Sequence, residues 1–409
     1  MNGDPLDALP DAWSQRPLEG VRVLDLTRLL PGNYCTWLLA VLGADVIKIE
    51  DTGAGDYMRS FGHQVEGQGA IHHLANRGKR SISLNLKQEE ARRVFDSLVG
   101  TADVVIDSFR PGALGRIGID YAELRKKRPQ LVCVSINGHG ADGPMAMKAA
   151  HDLNFLALVG HLDRNARAGE LPAITPMPWA DLIGGGLMPA LSIVSFVHRA
   201  RQTGIGATID SPIAEGTGLL PNIMLADILA GGYHAGPGLS EWAGGRACYD
   251  VYRGADCLVA VGAVEPHFWQ VLCEVMDLEE LIPFQTDPEE QDRLRAQLTE
   301  AFSSLTREDV ERLFAERDGC VTVVNSFEEF TTSEFARSRG LVRHDPEIPM
   351  PVLVPPFVVD GKRPAETSRA PFQGEQTNSI LQELGLSPEE IEVLVDSGAA
   401  KRHDGVAHE

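Results

Sequence analysis

Four residues in this sequence have side chains able to move a proton and positions that call for an explanation. His151 and Asp152 stand together in "AAHDLNFLALVG", Asp181 lies in "PWADLIGGGLMPAL", and Glu265 lies in "VAVGAVEPHFWQVL". Histidine titrates near neutrality, and a carboxyl group acts as base or, where burial raises its pKa, as acid, so two such groups flanking one substrate atom could remove and return a proton. Each residue also has a plain structural explanation. Leu153, Leu156, Ala157 and Gly160 recur at helical spacing, which sets Asp152 at a helix start as a cap and leaves His151 incidental. Capping accounts equally for Asp181, but not for Gly184, Gly185 and Gly186 in the turns that follow, since each costs about 1 kcal/mol against alanine inside a helix. Something packs on bare backbone there, a ligand or a neighbouring helix. Glu265 ends an apolar strand ahead of Pro266, which suits the first position of a helix, and reads as a cap or as a site residue.

Other chemistries lack their residues. There is no HExxH, and Cys35, Cys133, Cys248, Cys257, Cys273 and Cys320 are scattered without a CxxC pair, so neither a metal site nor a disulfide framework is expected. A serine hydrolase would need a GxSxG elbow, which does not occur. A dinucleotide site would need GxGxxG at the first strand-to-helix turn, where "DLTRLLPGNY" offers Gly32 alone.

The elements that must hold these residues alternate. Residues 21–26, 45–50, 81–86, 102–107 and 130–136 are short Val- and Ile-rich runs that read as strands. Between them "NYCTWLLAVLG" and "QEEARRVFDSLVG" carry helical spacing and end at glycine, which together predicts an α/β doubly wound domain with a parallel sheet. A long helical pattern from 180 onward runs to the glycine-rich "GGYHAGPGLSEWAGGR" (231–246), a change of composition that marks a domain boundary. Beyond it "CYDVYRGADCLVAVGAV" reads as a hairpin within a smaller α+β domain. After the proline-rich 344–364, "SPEEIEVLVDSG" predicts a last helix capped by Ser387. The expected division is a large domain over 1–225, a small domain over 226–335, and a return to the large domain over 336–409.

With 409 residues, 43% of them hydrophobic, the chain can bury a large core. Its net charge of −21 opposes attraction to nucleic acid or to anionic membranes, so an anionic ligand needs local cations, for which "NRGKR", "SFRPG" and "RKKR" are the places. No uninterrupted apolar run reaches membrane-span length, and the acidic start "MNGDPLDALPDAW" is unlike a signal peptide, so a cytoplasmic protein is expected.

Taken together, "LEGVRVLDLTRLLPG", "LGADVIKIEDTGAGD", "NRGKRSISLNLK", "FRPGALGRIGIDY", "HDLNF", "ADLIGGG", "YDVYRGAD" and "VGAVEPHFW" resemble the α-methylacyl-CoA racemases of the family III CoA-transferase superfamily, over nearly the whole chain. The resemblance implies an acyl-CoA thioester substrate inverted at C2, with His151 and Asp181 as the proton-transferring groups and Glu265 orienting His151. It implies that the Asp152 backbone N–H meets the thioester oxygen, and that Arg28, Lys48, Arg77, Lys79 and Arg110 serve the CoA phosphates. No metal or redox cofactor is implied, since CoA belongs to the substrate. The implied fold is an interlocked homodimer with a Rossmann-like large domain, in which Glu265 reaches His151 from the partner chain. The transferases of the superfamily offer the alternative, with the aspartate at position 152 as nucleophile. An Asp181 acting as acid must have a raised pKa.

Overall fold

The alternating runs build a sheet whose strand order decides where a ligand can sit. The computed structural model describes residues 13–167, 169–232, 236–241, 243–364 and 368–403. In it β1 (Arg22–Leu26), α1 (Leu29–Val41), β2 (Asp45–Glu50), β3 (Arg80–Leu84), α2 (Glu89–Thr101), β4 (Val104–Asp107) and β5 (Val132–Asn137) follow in turn. After them come α3 (Asp152–Leu158), α4 (Ala180–Thr203), β6 (Ala207–Pro212) and α5 (Ile213–Gly218). The strands lie parallel in the order β3-β2-β1-β4-β5-β6, the doubly wound order that reverses between β1 and β4. Ligands of such sheets bind outside the carboxyl ends of the strands at that reversal.

Two strands depart from the expectation of a wholly parallel sheet with strands only up to residue 136. β6 alternates between half-buried and exposed residues and sits at one edge, so it carries no apolar run to betray it. At the other edge Ala400–Lys401 pairs antiparallel with β3, a strand too short to leave a pattern. The core beneath the sheet joins Leu24, Ile47, Ile82 and Val105 to Phe95 and Leu98 of α2 and to Ile391 and Leu394 of the C-terminal helix Pro388–Asp396. That helix starts as expected, with Ser387 Oγ accepting from Glu390 N and Glu390 Oε2 accepting from Ser387 N.

The chain forms two compact units, one of residues up to Val159 with Met177–Leu220 and Gly340–Glu409, the other of Gly160–Pro176 with Pro221–Arg339. Against the expected bounds of 226 and 335, the middle unit runs over Pro221–Arg339 and also takes in Gly160–Pro176, a segment expected in the large domain, because spatial contact rather than composition assigns it. In the middle unit β7 (Tyr249–Arg253) and β8 (Leu258–Gly262) make the hairpin around "RGAD", and β9 (Val321–Val323) pairs antiparallel with the far side of β8. Trp269 and Leu272 of α6 (Pro266–Val275) and Leu294, Leu298 and Phe302 of α7 (Gln291–Ser303) bury themselves against Tyr252, Val259 and Val261. The start 1–12, read as unlike a signal peptide, lies outside the described residues, as do 233–235 and 242 of the glycine-rich stretch read as a boundary.

Candidate active site

Asp152 and Asp181 meet. Helix α3 begins at Asp152, with His151 in extended backbone just before it and the His151 N–H bonded to Asn154 Oδ1 at 3.0 Å. His151 rather than Asp152 therefore occupies the capping position, and its ring is on an exposed residue. The Asp152 carboxylate accepts from the backbone N–H of Asp181 at 3.0 Å, which ties the start of α3 to the start of α4. Asp181 does not cap, because it lies one residue inside its helix. Burial, reinforced by the neighbouring Asp152 charge, pushes its carboxyl from the ordinary 3.8 up to about 7. This is the direction an acid working near neutrality requires.

The three glycines explain how Asp181 comes to sit there. Residues Ala180–Leu187 form a π-helical stretch, in which Met188 N bonds Ile183 O across five residues, before α-helical Met188–Thr203 takes over. Such wide turns are rare and often found at functional sites. A Cβ on Gly184 would come within 2.4 Å of Ile213 O and Thr217 Oγ1, one on Gly185 within 2.6 Å of Pro31, and one on Gly186 within 2.7 Å of the Tyr34 ring. Of the two explanations for bare backbone the neighbouring helices, α1 and α5, are the one observed. Their close approach holds the first turns of α4 in place. The whole of Ala180–Thr203 is, by length and composition, long and apolar enough to cross a membrane. Asp181, His198, Arg199 and Arg201 keep it from being an uninterrupted apolar run, and its glycine face is covered by these two helices.

Glu265 stands in the other unit, just before Pro266 at the head of α6. Its carbonyl accepts from Phe268 N and Trp269 N, while its exposed side chain makes no capping bond. The capping explanation thus fails for its carboxylate.

The five expected CoA cations divide. Lys48 is fully buried, with Nζ bonded to Asp56 at 2.9 Å, to Asn33 Oδ1 at 2.6 Å and to Thr27 O at 3.0 Å. Lys79 is buried against Asp25, Thr36, Asn76 and Asn33, and burial, opposed by the Asp25 charge, draws its ammonium down to about 8. Arg77 lies buried with its guanidinium 5.2 Å from the Trp37 ring and Nη2 bonded to Leu353 O. All three are buried here, and the Lys48 and Lys79 ammonium groups face carboxylates and carbonyls of the fold itself. Arg28 and Arg110 differ. Arg28 follows β1 and Arg110 lies just past β4, so both sit at the strand-order reversal. Arg28 is partly exposed, paired with Asp51 at 2.6 Å and set near the Phe109 and Tyr57 rings, and its backbone N–H bonds Ser108 Oγ at 2.8 Å. Arg110 is exposed. Asp51 and Ser108, which hold Arg28, belong to no catalytic motif in the sequence, where only their place just after strand ends marks them. Gly32, unsuited to a pyrophosphate, serves packing instead: a Cβ there would come within 2.2 Å of Thr27.

Comparison with known proteins bears on this arrangement. The model of CoA-transferase family III matches residues 18–377. Alpha-methylacyl-CoA racemase of Homo sapiens is 31% identical over 91% of this chain and 95% of that protein. Succinyl-CoA:glutarate CoA-transferase of Mus musculus is 29% identical over 96% of this chain and 92% of that protein. The crystal structure of a CAIB/BAIF family protein from Brucella suis superposes with a TM-score of 0.80 at 28% identity, over 90% of this chain and 100% of that one. With a doubly wound sheet, a family match spanning most of the sequence and relatives that cover it nearly end to end, the chain belongs to the CoA-transferase family III.

Proposed function

We propose that the protein is a racemase or epimerase that inverts C2 of a 2-methyl-branched acyl-CoA. One observation carries this reading: a carboxyl group raised to about 7, Asp181, is hydrogen-bonded through its backbone to the helix start that bears His151. In one direction neutral His151 takes the C2 proton from one face while protonated Asp181 delivers a proton to the other, and in the reverse direction their roles exchange. Between the two transfers the charge resides on an enolate, whose oxygen would accept from the Asp152 backbone N–H, a first-turn donor that a helix leaves unpaired. A carboxyl group near 7 suits this work, since proton transfer is most efficient when the donor titrates near the working pH. Arg28 and Arg110 would meet the CoA phosphates at the strand-order reversal, and no cofactor is required beyond the CoA of the substrate. Glu265 would reach His151 from a second copy, making a homodimer the active form.

The transferase alternative, with Asp152 as nucleophile, draws on the similarity to CoA-transferases. Against it, one oxygen of that carboxylate is engaged by Asp181 N. Incubation of an α-methyl-branched acyl-CoA with the protein in D₂O separates the two. A racemase introduces deuterium at C2 without an acceptor acid, loses this in His151→Ala and retains little in Asp181→Ala. Acceptor-dependent CoA exchange that disappears in Asp152→Ala, with no deuterium at C2, would overturn the racemase reading.

A further inference from the structure

The connection between β5 and α3 carries a second imidazole that this chemistry does not use. His139 follows β5 in "NGHG", on a turn held from several sides. Asn137 Oδ1 accepts from Gly140 N at 2.6 Å, Asp210 Oδ2 accepts from Ala141 N at 2.8 Å, and Gly138 O accepts from Ala214 N at 3.1 Å. Gly140 takes a left-handed φ of +103°, which lets the chain reverse directly after His139. The His139 ring lies on Phe155 with centroids 5.4 Å apart, and a Cβ on Gly138 would stand only 3.3 Å from that same phenyl ring.

Phe155 links this histidine to the reacting end of α3. It lies three residues after Asp152 on the same helical face, and side chains on a helix lean back toward its N-terminus, which here is the start that Asp152 shares with Asp181. His139 therefore packs against the ring of a residue one helical turn after Asp152, outside the carboxyl end of a strand next to the reversal point. Its Nδ1 is buried without a hydrogen-bond partner. Leaving a buried polar atom unpaired costs about 1–3 kcal/mol. A residue needed only to fill the space beside Phe155 would be better as leucine or phenylalanine, so the use of the imidazole falls to its other nitrogen.

We propose that His139 is a specificity-determining residue, whose Nε2 hydrogen-bonds a hydroxyl or oxo oxygen carried on the acyl chain within a few bonds of C2. The substrate class is then an oxygenated 2-methylacyl-CoA; this rests on the racemase reading for the chemistry of the site. The test compares 2-methylbutyryl-CoA with 2-methyl-3-hydroxybutyryl-CoA, measuring kcat/KM for deuterium entry at C2 and Kd for both thioesters, in the wild type, His139→Phe and His139→Asn. One hydrogen bond lost predicts a fall of about tenfold for the hydroxylated thioester in His139→Phe, with the plain thioester unchanged or improved, and partial recovery in His139→Asn. Equal changes on both thioesters, or no change, overturn the proposal. Should the wild type exchange neither, the racemase reading fails and the Kd values alone decide. Tighter binding of the hydroxylated thioester that is lost in His139→Phe upholds the role of His139, and an unaltered ratio removes it.

Discussion

Asp181 shows how one buried carboxyl group couples function to stability. Folding raises its pKa from 3.8 to about 7, with burial the larger cause and the Asp152 charge the second. The folded protein thus holds this proton more tightly than the unfolded chain, so the group favours folding below pH 4 and that advantage is lost progressively as pH rises through about 7. Asp181→Asn is expected to raise Tm over the wild type at pH 8 and to leave it nearly unchanged at pH 4. A Tm difference equal at the two pH values would show that Asp181 ionises without cost. Asp152→Asn removes the second cause, so the pH dependence of C2 exchange should move to lower pH; a profile left in place would mean that burial alone sets it. The sequence made His151, Asp152, Asp181 and Glu265 visible as polar residues at the ends of apolar runs. It could not reveal that Lys48 and Lys79 are buried, because a lysine in "DVIKIE" or "NRGKR" looks alike whether its ammonium meets a ligand or an internal aspartate.

At the scale of elements, α4 places Asp181, and its glycines are the condition for that placement. Gly184 has the least room, since a methyl group there would press on backbone atoms of α5 that cannot rotate away. Overpacking against a fixed backbone costs about 3 kcal/mol, so Gly184→Ala should lower the urea midpoint by the corresponding amount. Because the same contact sets the start of α4, C2 exchange should fall at temperatures where the variant is still folded by circular dichroism. A variant of wild-type stability would show that α4 and α5 are not in such close contact. Three consecutive glycines announced this contact in the sequence, and five strands of the sheet were legible from their Val and Ile runs. The edge strands were not, because β6 keeps only alternate residues half-buried and Ala400–Lys401 is two residues long. The π-helical turns were equally hidden, since packing against α1 and α5, rather than local propensity, selects them.

For the whole molecule, the distribution of apolar surface bears on how many copies act together. In a chain of net charge −21, Leu153 and Leu158 of α3 are 40% and 51% exposed, and Leu187 and Leu191 of α4 are 45% and 62% exposed. Leu187 and Leu191 are four apart and so share one helical face, on the helix whose start is bonded to Asp152. An exposed apolar helix face of this kind is the type of surface that a second copy would cover in the proposed homodimer. The proposal that Glu265 acts on the His151 of its partner makes assembly a condition of catalysis. Leu191→Glu puts a charge in the centre of this face without touching the core, so it should yield a folded protein of monomer mass by light scattering, with C2 exchange lost. A monomeric Leu191→Glu with undiminished exchange would mean that Glu265 is not needed from a partner. A variant of unchanged dimer mass would mean that this face of α4 lies outside the interface.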